Sequence, residues 1–260
     1  MKKHRIAVIC FPGTNCEDET MSALAAGGLA AELVRWNQPE RLSGMEGAVI
    51  AGGWSYEDRI RAGVIAARDP IVAQLRSMAD AGKPVLGICN GAQVLIEAGI
   101  VPLETQDAAF ALAPNRNPFV AGYYCTWVCL RKAGKNGCFT ALVDEVIAIP
   151  IAHGEGRFVS SEKGLAESLL KKGQVAFEYC DKEGNVAHGF PVNPNGSMAN
   201  IAALTNEAGN AMAIMPHPER ASFVRQLPSK EKGNFDAWGS AAPAQAIFSS
   251  MKQYLDQGCR

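Results

Sequence analysis

The sequence predicts an α/β fold: a mostly parallel central sheet with helices on both faces and a small antiparallel elaboration. Three observations predict it. Short, continuously apolar runs such as "RIAVIC", "GAVIAGG" and "PVLGIC" alternate with helix-patterned segments over roughly the first hundred residues. Strands that are apolar on both faces belong in a parallel sheet covered on both sides. From Phe119 the pattern changes to longer runs with loops between them, as in "FVAGYYCTWVCLRK" and "DEVIAIPIAHGEG", which read as antiparallel or edge strands.

Taken in order, Arg5–Cys10 is a buried strand, followed by a Pro-Gly-Thr-Asn turn and a helix over Glu17–Ala26. "AAELVRW" and "GAVIAGG" are further strands. "DPIVAQLRSMADAGK" reads as a helix with an Asp cap, Pro in its first turn and Gly near its end. "PVLGIC" is then a strand and "GAQVLIEAG" a helix. A final strand, "AMAIMPHPER", follows the turn Asn206–Asn210, and a last helix runs through Gln245–Tyr254. Ser229–Phe235 reads as a solvated loop. The sequence shows no repeat, low-complexity tract or linker, so residues 1–260 are expected to form one domain.

The composition narrows the function. With 48% hydrophobic and 20% charged residues, the chain can bury a full core. A net charge of -1 gives no basic excess for a nucleic-acid partner. The apolar run in "MKKHRIAVICFPG" breaks at Pro12-Gly13 and is too short for a signal peptide. No window approaches the ~20 apolar residues of a membrane span. The 8 cysteines are scattered and contain no C-x-x-C pair, so free thiols in a cytoplasmic protein and no metal site are expected.

One cysteine stands apart. Gly87-Ile88-Cys89-Asn90-Gly91 has the spacing of a G-x-S-x-G nucleophile elbow with sulfur in place of oxygen. A strand turning sharply into a helix crowds the backbone, and glycines two residues either side remove the Cβ atoms that would clash. A thiol there sits at a helix N-terminus, where dipole and amides favour thiolate. Taken alone, the pattern also fits a buried cysteine beside turn glycines. A nucleophile needs a base and a group that orients the base.

Of the histidines, His4 lies in the tail before the first strand and His188 in a turn-rich loop, both surface positions. His217 follows an apolar strand in "MPHPE", at the carboxyl edge where α/β sites gather. Pro216 and Pro218 fix local φ angles, and in extended backbone His217 and Glu219 would project to one side, carboxylate against imidazole. The alternative is a surface His beside a charged loop. Gly52-Gly53 end another strand, and the amides of Gly53 and Asn90 are candidates for an oxyanion hole.

With these residues in view, "GICNGAQ", "MPHPER" and "GGWSYEDRIRAG" resemble class I glutamine amidotransferases, which have a flavodoxin-like fold and a Cys-His-Glu triad. "FPGTNCEDE", "APNRNPF", "PIAHGEGRF" and "NPNGSMANIAALTNEAGN" are similar to the branch serving phosphoribosylformylglycinamidine synthase, over nearly the whole chain. The resemblance implies Cys89 as nucleophile, His217 as base and acid, and Glu219 as its orienter. It also implies glutamine contacts at Gly52 and Gln93, and a role for His153 and Glu155 at the ammonia exit or a partner interface.

It further implies L-glutamine as substrate, no cofactor in this chain, a large synthetase subunit that uses ATP and Mg, and a small accessory subunit. In that branch the ammonia converts formylglycinamide ribonucleotide to the amidine. The sequence has no G-x-x-x-x-G-K-[ST] of its own with which to bind ATP. Glu57 departs from the pattern by standing where the family usually has Gly, and the chain is longer than compact members, with the extra length expected in Val224–Gly239. The competing readings are an amidotransferase serving another synthetase (anthranilate, GMP or pyridoxal phosphate formation) and a non-catalytic Cys-elbow protein.

Overall fold

A computed structural model describes residues 3–102, 110–120, 122–134, 137–228 and 235–259. In chain order the strands are β1 (Arg5–Cys10), β2 (Ala30–Arg35), β3 (Gly47–Ile50), β4 (Val85–Ile88), β5 (Ala111–Ala113), β6 (Tyr124–Lys132), β7 (Val146–His153), β8 (Arg157–Val159), β9 (Val175–Cys180), β10 (Ile201–Thr205) and β11 (Ala211–Ile214). The helices are α1 (Glu17–Ala26), α2 (Pro70–Asp80), α3 (Asn90–Glu97), α4 (Leu165–Lys172) and α5 (Ala246–Asp256).

Among the described residues, nine strands form one sheet in the order β2-β1-β3-β4-β11-β10-β9-β6-β7, with β5 and β8 paired separately. The strands from β2 to β11 are parallel, and those from β11 to β7 pair antiparallel. The predicted fold class holds. The antiparallel part continues the main sheet instead of standing apart from it.

Strand order also explains the helix layers. The chain moves from β1 outward to β2 through α1, and from β3 inward to β4 through α2. Right-handed crossovers in opposite directions put those helices on opposite faces. α5 joins α1, where Gln245 Nε2 donates to the Ala23 carbonyl at 2.9 Å. α3 joins α2, where Arg76 Nη1 donates to the Gly99 carbonyl at 3.3 Å. Both faces of the parallel strands are thereby closed, and Ile6, Val8, Val49, Leu86 and Ile214 are fully buried. Each such side chain contributes about 1.5–3 kcal/mol of burial.

Local chemistry departs from expectation at two ends. Asp69 precedes α2 with Pro70 at the first helical position, but it makes no cap bond. Its carboxylate instead accepts the Tyr56 hydroxyl at 2.7 Å. The final strand stops at Ile214, short of the histidine, and Pro218–Arg220 form a 3-10 turn. Pro218 cannot donate to a ladder, so the strand cannot continue through it.

The sheet curls on its antiparallel side. Although four strands separate β4 from β7 in the order, His217 N–H beyond β11 donates to the Pro150 carbonyl of β7 at 2.9 Å. The end of β7 is thereby brought over the carboxyl edge of the parallel strands. Most of Ser229–Phe235 lies outside the described residues. Among those described, no helix is long and apolar enough to cross a membrane.

Candidate active site

The turn from β4 into α3 carries the candidate nucleophile. Cys89 has φ 51° and ψ −106°, a strained conformation for a residue with a Cβ. Such a residue costs roughly 1–3 kcal/mol and persists only where its surroundings over-determine it. The flanking glycines supply the room. A Cβ on Gly87 would lie 2.4 Å from the Gly91 carbonyl oxygen, and one on Gly91 would lie 2.1 Å from that of Ile50. The elbow therefore forms only with bare backbone at both positions. Cys89 is 6% exposed, and its Sγ lies 3.7 Å from the Ala152 carbonyl on β7.

His217 is buried beside it, and its Nδ1 pairs with Glu219 Oε1 at 2.5 Å. The expectation of an extended His-x-Glu is corrected. His217 has φ −105° and ψ 89°, and Glu219 reaches the ring from inside the 3-10 turn begun by Pro218. The pairing survives because the tight turn also folds the carboxylate back onto the imidazole. Burial opposes protonation of His217. The Glu219 carboxylate, and then the charge of Cys89 as thiolate, outweigh it and hold the pKa well above its ordinary value. Nε2 of His217 is buried without a protein partner.

Gly52 sits where these groups meet. A Cβ there would lie 3.0 Å from His217 Cε1, 3.2 Å from Cys16 Sγ and 3.5 Å from Cys89 Cβ. Beyond Gly53, the loop carries three consecutive left-handed residues, Tyr56, Glu57 and Asp58, at φ 54°, 60° and 51°. Glu57 thus keeps a left-handed conformation that glycine adopts freely. The loop is clamped by Asn90, whose Oδ1 accepts from Ser55 N–H at 3.0 Å and whose Nδ2 donates to Asp58 at 3.1 Å and to Gln93 Oε1 at 2.9 Å.

Cys89, His217, Asp58 and Gln93 line a cavity of about 230 Å³ that also includes Gly53, His153 and Glu155. His153 is 2% exposed, with Nδ1 against Asn115 Oδ1 at 3.1 Å. Burial, and then the charge of His217, push its pKa down to about 3, so it is neutral. Glu155 joins α3 through its carbonyl, which accepts Gln93 Nε2 at 2.7 Å. His4 lies far from this edge, between Glu46 and Asp256, and His188 is exposed.

Sequence reasoning missed several cavity residues, among them Asp58, Arg220, Trp54 and Tyr123. Asp58 has its pKa raised to about 6 by burial and by nearby Glu155. Arg220 donates to Cys16 Sγ at 3.1 Å. Trp54 and Tyr123 stack at the rim with centroids 6.0 Å apart. Asp58, Trp54 and Arg220 fall inside motifs the sequence made visible. Tyr123 precedes a strand and gave no signal of its own.

Sheet, elbow and buried His–carboxylate pair define an α/β protein built for thiol chemistry at its carboxyl edge. The chain belongs to the CobB/CobQ-like glutamine amidotransferase family, whose model matches residues 3–255. It is 46% identical to the phosphoribosylformylglycinamidine synthase subunit PurQ of Methanothrix thermoacetophila, an alignment covering 97% of this chain and 98% of that one. The Methanosarcina mazei protein of the same name is 44% identical, covering 97% of this chain and 99% of its own. Among solved structures, a chain in PurLQS from Thermotoga maritima superposes with a TM-score of 0.73 at 31% identity, covering 98% of this chain and 100% of its own.

Proposed function

We propose that the chain is the glutaminase subunit of a phosphoribosylformylglycinamidine synthase. It hydrolyses L-glutamine to glutamate and ammonia through a γ-glutamyl thioester on Cys89. The observation that carries the chemistry is the strained Cys89 at the head of α3, sharing a cavity with His217, whose ring is paired from behind by buried Glu219. The near full-length likeness to PurQ proteins supports the choice of synthase over GMP, anthranilate or pyridoxal phosphate partners. The buried His–carboxylate pair speaks against a non-catalytic elbow protein.

In this reading the Cys89 thiolate attacks the side-chain amide carbon of glutamine. The amides of Gly53 and Asn90 hold the oxyanion. His217, protonated because Glu219 and Cys89 raise its pKa, gives its proton to the departing nitrogen, and ammonia leaves. The neutral imidazole then takes a proton from water, which attacks the thioester and expels the Cys89 thiolate with glutamate. Glu219 fixes the ring through Nδ1, so that Nε2 faces the reacting groups. Gly52 leaves room for His217 and Cys89 to meet beside the substrate. Gln93 contacts glutamine at the far side of the cavity. His153 and Glu155, at the end of β7, line the route by which ammonia leaves or the face that meets the partner.

Residues 1–260 form a single amidotransferase domain working in the cytoplasm with no cofactor of its own. The large subunit, with ATP and Mg, activates formylglycinamide ribonucleotide, and a small accessory subunit completes the complex. Ammonia released to water would be protonated and lost, which requires a covered path between subunits. The direct test mixes the chain with glutamine and each candidate synthetase subunit. Glutaminase stimulation by the formylglycinamidine synthetase supports the reading, and stimulation only by another synthetase refutes it.

A further inference from the structure

Two thiols that the chemistry above leaves unused face each other on the antiparallel arm of the sheet. Cys129 of β6 and Cys180 of β9 are register partners in the antiparallel pairing of these strands. Residues directly opposite in such a ladder put their side chains on the same face. The next pair on that face, Arg131 and Glu178, meets across the ladder, with Arg131 Nη2 donating to Glu178 Oε2 at 2.7 Å. Cys180 is 3% exposed, whereas Cys129 is partly exposed, and both carry reduced thiols. They line a second cavity, of about 330 Å³, that also includes Trp127, Lys182 and Pro191 and shares no residue with the first.

The spacing permits a bond between them. Ala133 N–H donates to the Ala176 carbonyl at 3.0 Å further along the same ladder, and hydrogen-bonded positions alternate, so Cys129 and Cys180 also stand at one. Cα atoms at such a position are about 5.5 Å apart, inside the roughly 4.4–6.8 Å that a disulfide spans. Side chains stand further apart there than at the alternate positions, so the bond strains the ladder and is readily reduced. Cys125 shares the face but lies four residues along β6, about 13 Å away at the rise of a strand, which puts it out of reach. We propose that Cys129 and Cys180 are a reversible oxidation site, closing a cross-strand disulfide when a peroxide enters this second cavity. The site stands on the register of the sheet and does not depend on the glutaminase reading.

Exposure sets the order of events. Burial, and then the neighbouring Cys129 and Asp181, push the Cys180 thiol up to about 12, which makes it a poor first nucleophile. Cys129, as thiolate, attacks one oxygen of the peroxide. The O–O bond breaks, a sulfenic acid forms on Cys129, and the departing hydroxide takes a proton from solvent. The Cys180 sulfur then attacks the sulfenic sulfur. The S–S bond forms, the S–O bond breaks, and the hydroxyl leaves with the Cys180 proton as water. The two thiols lose two electrons in total, and hydrogen peroxide becomes two waters. Two equivalents of a small thiol reverse the step by exchange.

The test treats the reduced, native full-length chain with a graded series of hydrogen peroxide, blocks remaining thiols with a maleimide, and maps the peptides by mass spectrometry without reduction. A linked pair of peptides carrying Cys129 and Cys180 is expected, with loss of maleimide from both sites in parallel and full recovery after dithiothreitol. C125S is expected to give the same linked pair. In C180A a sulfenic acid should be trapped on Cys129 by dimedone, and its absence overturns the order in which the thiols react. Both sites recovered only as maleimide adducts across the peroxide series, or Cys129 linked to another cysteine instead, overturns the site. The wild-type arm needs no variant to fold. The same treatment of urea-unfolded chain should scatter links among the 8 cysteines, and an equal yield of the Cys129–Cys180 link there would overturn the role given to the register.

Discussion

Cys89 holds a backbone conformation that its side chain disfavours, and the pair behind it is buried with its charges matched to one another. C89A is expected to lower glutamine turnover by about a thousandfold or more, with the fold intact, in an ammonia-release assay. E219Q leaves the ring in place and removes the charge that holds it, so a loss of about 10²–10⁴ in kcat is expected. His153 makes a separate prediction about stability. Its pKa lies at about 3 in the folded protein, against an ordinary 6.5. Between those values the unfolded chain binds a proton that the folded one does not. Stability is therefore full above pH 6.5 and falls as pH drops towards 3, by up to about 1.4 kcal/mol per pH unit. Denaturant titrations in that window should show a shallower acid loss for H153Q.

At the scale of elements, the β4–α3 turn depends on two glycines that keep helix and strand in contact. G91A puts a Cβ 2.1 Å from the Ile50 carbonyl, so α3 must lift from β3. A loss of about 1–3 kcal/mol by urea unfolding is expected, together with most of the activity. This turn was legible because its spacing encodes a steric requirement. β1 and α1 were legible to the residue, as an apolar run and a helix separated by Pro-Gly. Legibility failed where partners decide structure. β9 and β10 are short runs buried on the far side of the sheet, and α4 is a single amphipathic segment between left-handed Gly164 and Gly173, so none has a long pattern to announce it. The 3-10 turn at Pro218 was read as extended because proline fits both conformations until the strand's neighbours are known. Asp69 looked like a cap because only the fold brings Tyr56 to it.

Across the whole molecule, the curl of the sheet makes the site. Cys89, His217 and Gly53 come from the carboxyl edge of the parallel strands, as the sequence implied. Ala152, His153 and Glu155 reach them only because β7 folds over that edge. No local pattern encodes that return, since it depends on the accumulated twist of the strands between. The exposed stack of Trp54 on Tyr123 bridges the two halves at the cavity rim. Replacing Tyr123 with Ala is expected to loosen the rim and raise KM for glutamine more than it lowers kcat, by steady-state assay of the complex.

The proposed reaction turns on a covalent γ-glutamyl thioester at Cys89, made and broken with help from His217. The most direct measurement is mass spectrometry of the assembled synthase, acid-quenched during glutamine turnover. A glutamyl adduct is expected on the peptide containing Cys89, absent in C89A, and forming and decaying more slowly in H217N. Turnover with no adduct at Cys89, or an unchanged thioester cycle in H217N, would contradict it.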